Sequence, residues 1–112
     1  KELMKQINFY SKHYSIDFKI KELVNFKSVK FNQKINNIIK KNVLKNKLSH
    51  MNIYSGAGHD AQMLSKICPT SMIFIPSLRG ISHDKKEDTK KQQILNGLRL
   101  LLNVTEDLLK KN

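Results

Sequence analysis

Between Ile53 and Asp88 the chain carries two glycine-framed histidines on either side of a short apolar run closed by two prolines. The order is Ser55-Gly56-Ala57-Gly58-His59-Asp60, then Met72–Ile75 between Pro69 and Pro76, then Gly80-Ile81-Ser82-His83. Proline removes a backbone donor and steers the residue before it away from helical angles, so Ser71–Ile75 is isolated from any helix on either side. A run this short and this apolar predicts a strand buried on both faces. Turns at the ends of buried strands are where α/β proteins place binding and catalytic groups.

The flanks read as further helix and strand. Leu3, Met4, Ile7 and Tyr10 recur at helical spacing from Lys1 to about His13. Ser15–Val24 then alternates Ile16, Phe18 and Ile20 inward with Asp17, Lys19 and Lys21 outward, which predicts a half-buried strand. A second helix is expected from about Asn32, with Ile35, Ile38, Ile39 and Val43 on one face, fading over Asn46–Ser49. A short helix is expected through Ala61–Ile67. The last helix runs from about Thr89 to Lys110, where Gly97 is tolerable if another backbone packs close to it. The order α-β-α, α-β-α predicts an α/β fold within one ordinary domain length.

The net charge of +12 does not by itself name a polyanion partner. All but Arg79 and Arg99 of the 21 basic residues are lysine, in company with abundant asparagine and isoleucine, the signature of AT-rich codons. A dedicated phosphate or base reader uses the bidentate fork of arginine more often. Incidental solvated charge is the favoured reading, so no nucleic-acid partner is expected. No apolar stretch approaches the roughly 20 residues that span a bilayer, and the single Cys68 excludes an internal disulfide. These features predict a cytoplasmic protein without a membrane partner. The chain opens on lysine, which fits a processed product, a trimmed piece or the tail of a longer protein.

Several side chains could carry chemistry. His59 is either a simple helix-start residue or a group offered to a ligand, with Asp60 able to orient its ring or cap the following helix. His83 is either an exposed loop residue or a metal ligand. Glu87 either orients that loop or sits in the first turn of the last helix. Ser55 lacks the context of a nucleophile elbow and reads as a turn former. Cys68, beside Pro69, reads as a small buried residue. His13 and His50 stand among polar residues and read as exposed. No HExxH or CxxC pattern supplies a complete metal site.

Taken together, SGAGHDA at Ser55–Ala61, MIFIPS at Met72–Ser77 and GISHxxxE at Gly80–Glu87 resemble the C-terminal part of the binuclear-metal amidohydrolases. That family includes N-carbamoyl-L-amino acid hydrolases, allantoate amidohydrolases and yeast-type β-ureidopropionase, within the aminoacylase/carboxypeptidase superfamily. The resemblance implies that residues 1–25 end an inserted α+β dimerisation domain. Residues 26–112 would be the C-terminal part of a mixed-sheet, metal-binding catalytic domain. It implies that His83 is a metal ligand, that His59 polarises the substrate, and that Gly80 lines the pocket, with Asp60 and Glu87 in support. It further implies two divalent metal ions (zinc, or manganese or cobalt), an amide or ureido substrate, and a homodimer.

One departure stands out: the family often has Ser-Pro after the motif histidine, where this chain has Asp84-Lys85. Two other functions are compatible with the sequence, a degenerate non-catalytic remnant and a small basic nucleic-acid-associated module. A single histidine cannot hold two metal ions, so the chain by itself is expected to be inactive. It is also expected to expose sheet edges and apolar surface.

Overall fold

The computed structural model describes residues 2–110; Lys1, where the first helix was expected to start, and residues 111–112 lie outside it. Its helices are α1 (Glu2–Tyr14), α2 (Gln33–Lys45), α3 (Asp60–Leu64) and α4 (Lys91–Leu109), with a 3-10 turn at Leu78–Gly80. α1, α2 and α4 fall where the apolar spacing places helices, whereas the short helix expected through Ala61–Ile67 forms over Asp60–Leu64.

α2 is punctuated at both ends by its own sequence. Asn32 is extended (φ −63°, ψ 120°) and its side-chain oxygen accepts the Ile35 N–H at 3.1 Å, a regular N-cap. At the far end Lys47 turns left-handed (φ 52°). That lets Lys47 N–H donate to Leu44 O at 3.0 Å and Leu48 N–H donate to Val43 O at 3.1 Å. The pair of bonds satisfies carbonyls the helix would otherwise leave open, and Leu48 folds back onto the core. The fading expected at Asn46–Ser49 is therefore a defined stop.

Among the described residues α2 and α4 are the one pair of helices packed against each other. Their contact buries Ile38 and Val43 from α2 against Leu100 and Val104 from α4, with Ile39, Leu48, Ile73 and Leu108 around them. A polar seam runs beside this core. Asn42, 2% exposed, donates from Nδ2 to Ile38 O at 3.1 Å and to Asp107 Oδ2 at 3.0 Å. Asn103 Nδ2 donates to Asn46 Oδ1 at 3.4 Å, and Lys41 Nζ lies 4.0 Å from the Asp107 carboxylate. The buried amide and the carboxylate satisfy each other, which fixes which residues of α2 and α4 meet.

The expected strands are not formed among the described residues. Ser15–Val24 and Ser71–Ile75 are both irregular. A strand needs a neighbour for its alternating N–H and C=O groups, and neither segment meets one here. Ile16, Phe18 and Ile20, expected to face inward, are 58%, 42% and 52% exposed. The Met72–Ile75 run is covered on one side only. Ile73 packs on the helix core, whereas Phe74 and Ile75 remain exposed. Gly97 does close on a neighbour, but it is a side chain: a Cβ there would stand 2.6 Å from Ile75 Cγ2. Cys68, expected to be buried, is exposed, because the turn after α3 places it on the outer side.

The radius of gyration is 20.4 Å, against about 13 Å for a compact domain of this length. α1 packs on no other helix among the described residues, and the stretch from Ile16 to Phe31 is irregular and mostly exposed.

Asp107 supplies a pH test of the α2–α4 seam. The Asn42 hydrogen bond, aided by the charges of Lys41, Lys110 and Lys45 and opposed by desolvation, lowers the carboxyl below its ordinary value. A depressed folded pKa contributes stability that is present above the unfolded value, about 3.9, and is lost as pH falls through the folded one. Comparing the chain with Asp107→Asn by circular dichroism melts, the native advantage should be constant near neutrality and shrink below about pH 4. An advantage independent of pH would show that the carboxylate is not part of the seam.

Candidate functional site

The stretch from Leu48 to His59 is irregular and bends at Ala57 just ahead of α3. Ser55 Oγ comes 2.7 Å from His59 Nε2, and Ala57 N–H donates to the same hydroxyl oxygen at 3.3 Å. His59 itself is extended (φ −136°, ψ 146°), immediately ahead of α3, and its N–H donates to Gln62 Oε1 at 3.1 Å. Its ring is half-buried and stands edge-on to Phe74, with centroids 5.5 Å apart and planes at 67°. The apolar run and the first glycine motif thus meet at the imidazole. Asp60 is the exposed first residue of α3. No hydrogen bond joins its carboxylate to the His59 ring among the described residues, and its charge suits the positive end of a helix.

The second motif is a loop held by backbone conformation. Arg79 (φ 58°), Gly80 (φ 66°) and His83 (φ 58°) are all left-handed, a region that costs a residue with a Cβ roughly 1–2 kcal/mol. Gly80 adopts it freely, and a Cβ placed there would meet nothing within 4 Å, so the backbone borders open space. Leu78 N–H donates to Asp88 O at 2.7 Å and closes the base of the loop.

Within it His83 N–H donates to Glu87 Oε2 at 2.8 Å, Glu87 N–H to Asp84 O at 2.9 Å, and Lys86 N–H to Asp84 Oδ1 at 2.8 Å. Glu87 therefore braces the loop. It does not cap α4, which begins four residues later with no acidic residue in its first turn. Asp84, which with Lys85 replaces the family's Ser-Pro, accepts two of these three bonds, from Glu87 N–H and Lys86 N–H, and so holds the loop beside the histidine.

Among the described residues no three His, Cys, Asp or Glu side chains come close enough to hold a metal ion. His83 is exposed on its loop and fits as one imidazole donor, not as a complete site. A hollow of about 380 Å³ lies elsewhere, bordered by Lys30, Lys66, Cys68 and Thr70 among others, and neither histidine lines it. His13 and His50 are exposed, as expected. The contact that sequence reasoning missed is Ser55 with His59. Its signal was a four-residue spacing inside a glycine turn, where no periodicity marks a face.

The family follows from the whole stretch. Residues 5–107 match the sequence model of peptidase family M20/M25/M40. The chain belongs to that family.

Relatives within reach of this M20/M25/M40 chain include the allantoate amidohydrolase of Escherichia coli. It is 47% identical over 55 residues, which is 49% of this chain and 13% of that protein. The N-carbamoyl-L-amino-acid amidohydrolase of Rhizobium meliloti is 37% identical over 82 residues, 73% of this chain and 20% of that protein. The enzyme of the same name from a Pseudomonas species is 29% identical over 100 residues, 89% and 24% respectively. The chain therefore spans at most about a quarter of the length of these relatives. No solved structure matches it significantly.

The loop geometry carries its own test. Glu87→Ala should speed hydrogen exchange at the His83 amide by roughly tenfold or more, the loss of one charge-assisted bond of about 1.5–3 kcal/mol partly offset by water. An unchanged rate would mean that the Glu87 contact does not order the loop.

Proposed function

We propose that this chain is the C-terminal portion of a metal-dependent hydrolase of linear amide or ureido C–N bonds, of the N-carbamoyl amino acid or allantoate type. The observation that carries the reading is the His83 loop, whose three left-handed residues and Glu87 brace present an exposed imidazole, while no group of three possible ligands forms among the described residues. That arrangement suits a donor to a site whose remaining ligands come from other residues. The names of the relatives, allantoate amidohydrolase and N-carbamoyl-L-amino-acid amidohydrolase, supply the substrate class. By itself the described stretch is not catalytic.

Bound divalent ions (two, zinc or else manganese or cobalt) would polarise the scissile carbonyl and generate hydroxide at neutral pH. The residues of this chain do the rest of what can be derived. His83 donates one imidazole nitrogen, with Glu87 and Asp84 fixing the backbone from which it projects. His59 offers its ring to the substrate oxygen that gains negative charge as the C–N bond breaks, and Phe74 shields one edge of that ring from water. Gly80 leaves room for the substrate against its backbone. Asp60 supports the start of α3, which carries Gln62 back to the His59 N–H.

In the same reading the irregular Ser71–Ile75 run is a strand of a mixed sheet once other strands flank it. Residues 1–25 belong to a dimerisation domain and residues 26–112 to the catalytic one, a division that the isolation of α1 supports. A homodimer in the cytoplasm follows as the expected state. None of the helices is long and apolar enough to cross a membrane among the described residues.

His59→Ala in the full-length enzyme tests the reading. With allantoate and an N-carbamoyl amino acid as substrates, kcat should fall by about 10²–10³, the usual loss for one donor to a developing oxyanion, with metal content unchanged. Turnover that survives the substitution on both substrates would overturn the assignment.

A further inference from the structure

We propose that Ser55 is a positioning residue for His59, a role that rests on His59 being the substrate-polarising group. Ser55 was expected only to form the turn. In the structure its hydroxyl is 2.7 Å from His59 Nε2 and is itself held by the Ala57 N–H at 3.3 Å. A serine hydroxyl has one proton and two lone pairs. The Ala57 N–H occupies one lone pair, which anchors the oxygen to the backbone of its own turn. The hydroxyl then engages Nε2 through its proton or its other lone pair. In both cases the two ring nitrogens become inequivalent and rotation of the imidazole is restricted.

The remaining contacts of His59 show why such a restraint matters. The Gln62 side chain grips its N–H and not its ring. Phe74 meets the ring edge-on and leaves its plane free to slide. Ser55 is thus the hydrogen-bonding side chain that fixes the ring, as the polar partner of a catalytic or metal-bound histidine commonly does. The bend at Ala57 brings positions 55 and 59 together, and a Cβ on Gly56 would meet nothing within 4 Å, so the contact does not depend on relief of crowding there.

The test uses the full-length enzyme with 15N-labelled histidine, comparing wild type, Ser55→Ala, Ser55→Thr and His59→Ala. Ser55→Ala should redistribute the two neutral tautomers of His59, seen in its ring-nitrogen shifts. It should also lower kcat by about 10-fold or more, the usual loss for an outer-shell partner, with KM within about twofold and metal content unchanged. Ser55→Thr keeps the hydroxyl and should restore both readouts. Unchanged ring-nitrogen shifts in Ser55→Ala would overturn the positioning role and leave Ser55 a turn former. A failure of the catalytic reading looks different: His59→Ala would then retain turnover, whatever Ser55→Ala does to the ring.

Discussion

The contact between α2 and α4 is the one on which the placement of everything else depends. Ile38 and Val43 meet Leu100 and Val104 across it, and the Asn42 amide bound to the Asp107 carboxylate sets the register over a separation of 65 residues. The apolar run is tied to both members. Asn32 N–H donates to Thr70 O at 2.9 Å, Ser71 bonds the Asn36 side chain, Ile73 joins the core, and Ile75 presses on Gly97. Phe74 then projects from an anchored segment and meets the His59 ring. The His83 loop leaves the same segment and closes on itself just before α4 through Leu78 and Asp88. A slip between the two helices would move both histidines.

The helices were legible because their signals are local. Asn32 at the cap, the isoleucines at three-to-four spacing and the leucines of α4 each act within a turn or two of chain. The segments read as strands carry the correct pattern, yet alternation specifies a face only when a second strand or a covering layer exists. Ile16, Phe18 and Ile20 keep their alternation and lie in the open. Cys68, expected to be buried beside Pro69, is exposed: a proline in sequence does not tell which way the chain after a five-residue helix points. In the candidate site the motifs located His59 and His83 from sequence, whereas the brace by Glu87 and the contact from Ser55 required the turns to be folded. Lys47, left-handed without being glycine, gave no sequence signal for its stop at all.

The exposed apolar side chains follow the same division. Leu3, Phe9 and Tyr14 on α1 and Leu23, Val24 and Phe26 after it are between 61% and 80% exposed. Aromatic contacts within α1, Phe9 with His13 and Tyr10 with Tyr14, order that helix internally without covering it. The α2–α4 unit, in contrast, has a core, two defined ends and a satisfied polar seam. The N-terminal stretch through Phe26 is the less covered of the two.

For the proposed hydrolase, the most direct measurement is the divalent-metal content of the protein that carries this stretch, for wild type and His83→Ala, by elemental mass spectrometry after dialysis against trace metal. Circular dichroism would check that the variant keeps its helices. A ligand role for His83 predicts a substantial loss of bound metal, about 10- to 100-fold or more in affinity, with helicity retained. Equal metal content in a folded variant would contradict it, and the loop between Leu78 and Asp88 would then be a braced turn with no part in the chemistry.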